Sequence, residues 1–109
     1  MFCISYNQKV AILTSLMGSI SDNTSGAYYG YRMSKSAVNM ATKSLAFDLA
    51  AKNSHVIAVH PGMVATDMTG GRGIPASESV SSMLHKVILP LDASLNGKFV
   101  SREGKVEGY

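Results

Sequence analysis

Four apolar residues in a row, Val10-Ala11-Ile12-Leu13, stand between Lys9 and Thr14-Ser15. The run does not alternate with polar residues, so it predicts a strand covered on both faces, as in a parallel sheet flanked by helices. Residues 16–30 carry Gly18, Asp22, Asn23, Gly26, Gly30 and several serines and read as loop. From Tyr31 to Lys52 there is neither Gly nor Pro. Ala37, Met40, Ala41, Ser44, Leu45, Asp48 and Leu49 recur there at spacings of three and four. Apart from Asp48 they form a small or apolar stripe, which predicts an amphipathic helix. Val38, Thr42 and Phe47 widen its expected buried arc, and Asn53-Ser54 close it. His55–His60 reads as a second buried strand, stopped by Pro61-Gly62 because proline has no amide to donate. Residues 63–76 are a long loop with Gly70, Gly71, Gly73 and Pro75. Ser77 is a suitable N-cap for a helix running to about Leu89, with Met83, Leu84, Val87 and Ile88 as its stripe and Pro90 as its stop. Phe99-Val100 predicts a third short strand, followed by a Glu103-Gly104 turn and a polar tail.

Alternation of strands and helices predicts an α/β fold with parallel strands. About three strands and two helices make half of a doubly wound sheet, with one sheet edge left bare. The 109 residues allow one domain. Hydrophobic residues make up 46% and charged residues only 16%, which excludes intrinsic disorder and points to surfaces that something else covers. The net charge of +3 comes from scattered cations without a basic run, which argues against a nucleic-acid partner. A lone Cys3 excludes an intrachain disulfide framework and fits a reducing, cytoplasmic setting. No apolar stretch is long enough to span a membrane. Thr14-Ser15 cut the first apolar run too short for a secretory leader.

Tyr31 and Lys35 lie four apart and share one helix face. An ammonium beside a phenol favours the phenolate, and a phenol so placed can pass a proton to an alcohol or carbonyl oxygen. The pair alone equally fits an exposed tyrosine and a solvated lysine. Context adds to it: Thr14-Ser15 and Pro61-Gly62 close the two apolar runs at the carboxyl edge of the sheet, where open α/β sheets bind ligands, and Thr66 follows shortly after. Gly70-Gly71-Arg72-Gly73 is expected to be a flexible lid, and the methionines core filler or subunit contact. His55, His60, His85 and Cys3 lack metal-ligand spacing, so no metal is expected.

Three stretches taken together resemble the short-chain dehydrogenase/reductase family, closest to its C-factor-like and carbonyl-reductase-like members. They are Thr14-Ser15-Leu16-Met17-Gly18, Tyr31-Arg32-Met33-Ser34-Lys35 and His60-Pro61-Gly62-Met63-Val64-Ala65-Thr66-Asp67, with the loop Gly18-Ser19-Ile20…Asn23-Thr24-Ser25-Gly26 before the tyrosine. The resemblance covers residues 9–109. It implies a Rossmann-type fold and hydride transfer between a nicotinamide cofactor and a small carbonyl or alcohol. It implies Tyr31 as proton donor and acceptor, Lys35 as the cation that favours its phenolate and bonds the nicotinamide ribose, and Ser15, rather than Ser19, as the group that polarises the substrate oxygen. Pro61, Gly62, Val64 and Thr66 would line the nicotinamide side of the cleft, with NADP favoured over NAD and a homo-oligomer in the full-length form. The family's Gly-rich phosphate turn and Asn-Asn-Ala-Gly stretch have no counterpart here, so residues 1–109 are expected to be a partial dinucleotide-binding domain, inactive without that N-terminal half. The other expectation is a non-catalytic fragment that docks on full-length subunits through its long helix.

Overall fold

The computed structural model describes residues 8–109; Met1 to Asn7, and with them Cys3, lie outside the described residues. β1 (Lys9–Leu13), β2 (His55–His60) and β3 (Phe99–Ser101) form a parallel sheet, and β4 (Val106–Glu107) pairs antiparallel with β3. The strand order is β1-β2-β3-β4. The α/β class and the parallel pairing are as expected, but the count is four strands rather than three. The tail read as polar turns back through Gly104, and its Val106 pairs with Val100. A strand of two residues has too few positions for alternation to be seen in the sequence.

β2 is central, and Val56, Ile57, Ala58 and Val59 are fully buried. Strand alternation sends Ile57 and Val59, with Val100, to one face, where they pack with Met83, Val87 and Leu91. The helix α2 (Ala76–Met83) and a π turn (Leu84–Ile88) cover this face. The expected single helix from Ser77 to Leu89 is therefore shorter and changes pitch at Leu84. Its N-cap is Pro75, not Ser77. Proline's missing N–H costs nothing at a helix start.

The other face is covered by α1 (Tyr29–Ala50), two residues longer at its start than expected. Its buried residues are Asn39, Thr42 and Ala46. Met40 and Phe47, both placed in the buried arc by periodicity, are 69% and 73% exposed. The helix is rotated because polar contacts outrank the apolar stripe. The Thr14 hydroxyl donates to Asn39 Oδ1 at 2.7 Å, and Thr42 Oγ1 donates to its own helix at Val38 O, 2.9 Å away. Asn96 ties the same face from the far end: its Oδ1 accepts from Val56 N at 2.7 Å and its Nδ2 donates to Ala46 O at 3.2 Å.

β1 is a sheet edge and is only partly covered, with Leu13 57% exposed, instead of buried on both faces. Residues 16–30, read as loop, contain a 3-10 turn at Leu16–Gly18. Gly18 sits directly on α1: a Cβ added there would lie 2.8 Å from both the Lys35 backbone carbon and the Lys35 Cβ. Only glycine lets the loop come this close. Replacing Gly18 with Ala forces loop and helix apart, and overpacking of this kind costs about 1–3 kcal/mol. Urea denaturation of Gly18→Ala should show the lowered midpoint with an unchanged slope.

Candidate active site

The carboxyl ends of β1 and β2 lie side by side, because Leu13 pairs with Val59 and Thr14 N donates to Val59 O at 3.0 Å. Ser15 follows with extended backbone, and its Oγ accepts from Met17 N at 3.1 Å, which caps the 3-10 turn and fixes the side chain. The turn then lands on α1 through Gly18, whose carbonyl accepts from Ser36 Oγ at 2.8 Å. One contact thus sets β1's end against the first turns of α1, where Tyr31 and Lys35 stand.

A cleft of about 580 Å³ opens at this edge, lined by Ser15, Tyr31, Pro61, Gly62, Val64 and Thr66 together with Thr14, Leu16, Met17, His60, Met63, Met68 and Thr69. Six of the seven residues singled out from the sequence therefore share one cavity. The seventh, Lys35, holds its Nζ 5.8 Å from the centre of the Tyr31 ring. Ser19 is elsewhere. It is buried, and its Oγ donates to Gly108 O. Ser15 and not Ser19 faces the cleft with Tyr31.

Tyr31 enters from an unusual helix start. Gly26, Ala27 and Tyr28 all have left-handed backbone, with φ of 71°, 61° and 54°. For Ala27 and Tyr28 this conformation costs roughly 1–3 kcal/mol each. Arg32 offsets the strain: its Nε donates to Gly26 O at 3.2 Å and Ala27 O at 2.9 Å, and its Nη2 to Ser25 Oγ at 3.2 Å. Nothing in the sequence signals this, since alanine and tyrosine carry no preference for the left-handed region.

The loop beyond Gly62, expected to carry a flexible lid at Gly70–Gly73, is braced from within by hydrogen bonds. Ala65 N donates to Ile74 O at 2.8 Å and Ile74 N to Met63 O at 2.9 Å. Thr69 Oγ1 lies 2.9, 3.1 and 2.8 Å from the carbonyls of Val64, Thr66 and Arg72, and accepts from Thr66 N at 3.1 Å. Gly73 has φ 108°, and a Cβ there would fall 2.3 Å from Met63 O. Arg72 turns back on its own loop, donating to Thr69 O.

Of the two readings of the methionines, core filler or subunit contact, core filler fits few of them. Met17, Met63 and Met68 wall the cleft with Leu16, and among the described methionines only Met83 belongs to the buried core. His60, which looked like an ordinary strand-end residue, reaches the cleft too. Its Nε2 is 3.6 Å from Glu107 Oε1, and its ring meets Phe99 edge-on at 5.5 Å. Their place at the sheet's carboxyl edge was the available signal.

These groups suit the nicotinamide end of a dinucleotide. The Val64 N–H takes no partner among the described residues, since the bridge to Ile74 uses the Met63 carbonyl and the Ala65 N–H. The Thr66 side chain is exposed at the cleft. Gly62 has φ 79°, and a Cβ added there would touch Arg102 Nε at 3.5 Å. Among the described residues no strand runs through a Gly-rich turn directly into a helix, the arrangement that holds a pyrophosphate.

The family model described as enoyl-(acyl carrier protein) reductase matches residues 6–93. The C-signal protein of Myxococcus xanthus is 44% identical over 98 residues, which are 89% of this chain and 58% of that protein. Among solved structures, carbonyl reductase Sniffer of D. melanogaster superposes with a TM-score of 0.86 at 38% identity, over 93% of this chain and 41% of that one. The NADPH-bound carbonyl reductase from chicken fatty liver gives 0.83 at 34% identity, over 93% and 42%. The chain thus spans about half the length of the proteins it matches.

Thr69 is the brace of the 63–74 loop. Thr69→Val removes every hydroxyl contact while keeping the volume. Trypsin should then cut after Arg72 severalfold faster than in the unaltered chain, in proportion to the larger open population. An unchanged cutting rate would mean that the Ile74 bridge suffices.

Proposed function

The chain belongs to the short-chain dehydrogenase/reductase family, and we propose that it forms the substrate-handling part of a nicotinamide-linked oxidoreductase acting on a small carbonyl or alcohol. The observation that carries the reading is the shared cleft: Ser15 and Tyr31 on one wall, Val64 and Thr66 on the other, at the carboxyl edge of a parallel sheet. A nicotinamide held in this cleft would supply the hydride chemistry at the substrate carbon. In the direction of reduction, the Ser15 hydroxyl donates a hydrogen bond to the carbonyl oxygen. Tyr31 passes its phenolic proton to that oxygen as negative charge develops there. The Lys35 ammonium, one turn on, offsets the phenolate that remains. In oxidation the same groups run in reverse. Val64 N–H and the Thr66 hydroxyl would hold the carboxamide of the nicotinamide, with Pro61 and Gly62 lining the same side of the cleft. Leu16, Met17, Met63 and Met68 exclude water and favour a largely apolar substrate body.

NADP is the favoured cofactor, in keeping with the NADPH bound by the chicken liver reductase. The phosphate end of the dinucleotide falls to the Gly-rich half that the family carries, so the 109-residue chain by itself neither binds the cofactor tightly nor turns over. The reading includes a cytoplasmic setting. Among the described residues no helix is long and apolar enough to cross a membrane.

A second reading rests on α1. Met33, Met40 and Phe47 point outward and are 68%, 69% and 73% exposed, so the chain could act by docking this helix on full-length subunits.

Fluorescence titration of the 109-residue chain with NADPH should show no saturable binding below about 100 μM, or about −5.5 kcal/mol. Joined to a family N-terminal half, it should gain NADPH-dependent carbonyl reduction. In that protein Tyr31→Phe and Ser15→Ala should each lower kcat by about 10²–10⁴ with the fold intact. Full turnover in Tyr31→Phe would sink the assignment. The second reading is checked by size-exclusion chromatography of the chain with a full-length relative. Separate elution at micromolar concentration would count against it.

A further inference from the structure

The turn that carries Ser15 is held at its far end by the last two residues of the chain. After β4, Gly108 and Tyr109 run back beside residues 19–21. Tyr109 O accepts from Ile20 N at 3.0 Å and from Ser21 N at 3.2 Å, and Gly108 O accepts from the buried Ser19 hydroxyl. Tyr109 is fastened in turn: its hydroxyl donates to Gly97 O, and its ring stacks on Phe99 with centroids 5.8 Å apart. Phe99 is fully buried and also meets the ring of His60, which lines the cleft. Burial pushes the Tyr109 phenol up from its usual value, so it stays a protonated donor at neutral pH.

The other attachments of the turn lie within residues 15–18. Ser15 caps it, Gly18 N donates to Ser15 O at 2.9 Å, Gly18 packs on Lys35, and the Gly18 carbonyl accepts from Ser36 Oγ at 2.8 Å. Beyond residue 21 the chain is exposed up to the helix. Without the tail, residues 19–21 lose three hydrogen bonds at once, and Gly18, with its contacts to Lys35 and Ser36, is the last tie of the turn to the rest of the fold.

We propose that Gly108 and Tyr109 are positioning residues: they clamp residues 19–21 and thereby hold the Ser15 turn against Tyr31. This rests on the assignment of Ser15 and Tyr31 above. A substitution at Gly108 reaches the clamp directly. A Cβ placed there would stand 2.4 Å from Ser21 Oγ but 3.4 Å from Ser21 Cβ, so Ser21 Oγ alone must turn aside, away from its contact with Ser19 Oγ at 3.2 Å. That atom makes the clamp testable by rescue.

Amide hydrogen exchange on the 109-residue chain reads the clamp without any need for turnover. Gly108→Ala should speed exchange at Ile20, Ser21 and Gly18 by about tenfold or more, with Val56–Val59 in the central strand unchanged. Gly108→Ala combined with Ser21→Ala should restore the original rates, and Ser21→Ala alone should leave them near those of the unaltered chain. Tyr109→Phe, which keeps the ring and loses only the hydroxyl, should be intermediate. In the joined enzyme, Gly108→Ala should lower kcat by about ten- to a hundredfold, leave the KM for NADPH in place, and be rescued by the same second substitution. Faster exchange confined to Ile20 and Ser21, with Gly18 protected and kcat intact, would overturn the proposal, as would failure of the double variant to recover. If Tyr31→Phe keeps full turnover, the functional reading fails, while the exchange rates still decide whether the clamp holds the turn.

Discussion

The contact of Gly18 with Lys35 is the constraint on which the site depends. Two backbones approach so closely there that a single added carbon would sit 2.8 Å from its neighbours. The approach joins the exit of β1 to the first turns of α1, and those are the two places that supply Ser15 and Tyr31. Close packing makes such a joint rigid, since neither side can shift without opening a void or a collision. The Ser36 hydroxyl on the Gly18 carbonyl and the Asn39 amide oxygen on Thr14 add directional bonds along the same seam.

That seam also accounts for the orientation of α1. A helix facing a sheet normally turns its most apolar stripe inward. Here the inward face is Asn39, Thr42 and Ala46, small or hydrogen-bonded, and the helix lies close on β2. Turning it to bury Met40 and Phe47 would break the Thr14–Asn39 bond, while the present orientation leaves Asn39 Nδ2 buried without a partner among the described residues. The outcome is an exposed apolar face on α1, in keeping with the low charge content of the chain.

The far wall of the cleft is rigid by different means. Proline and glycine end β2, and the loop that follows is knotted by one threonine hydroxyl and closed by a bridge between Val64 and Ile74. The ordering of this loop leaves the Val64 amide free toward the cleft. A preorganised donor of this kind binds without the entropy cost of fixing a mobile loop.

The alternation of apolar runs with a Gly-free, Pro-free stretch determined the α/β class, the parallel strands and the carboxyl edge as the place of chemistry. That Ser15, Tyr31, Pro61, Gly62, Val64 and Thr66 would share one cleft, with Lys35 beside Tyr31, was legible because helix spacing and strand ends are local properties of the chain. The rotation of α1, the β4 pairing, the pitch change at Leu84 and the left-handed run before Tyr31 were not legible. Each is decided by partners distant in sequence: Thr14 for Asn39, Phe99 and Val100 for the tail, Arg32 for Ala27. The resemblance already favoured Ser15 over Ser19, but the physical ground for it is tertiary: folding buries Ser19 under Gly108 and leaves Ser15 on the cleft, because hydrogen-bond partners across the fold, not residue type, determine which hydroxyl stays available.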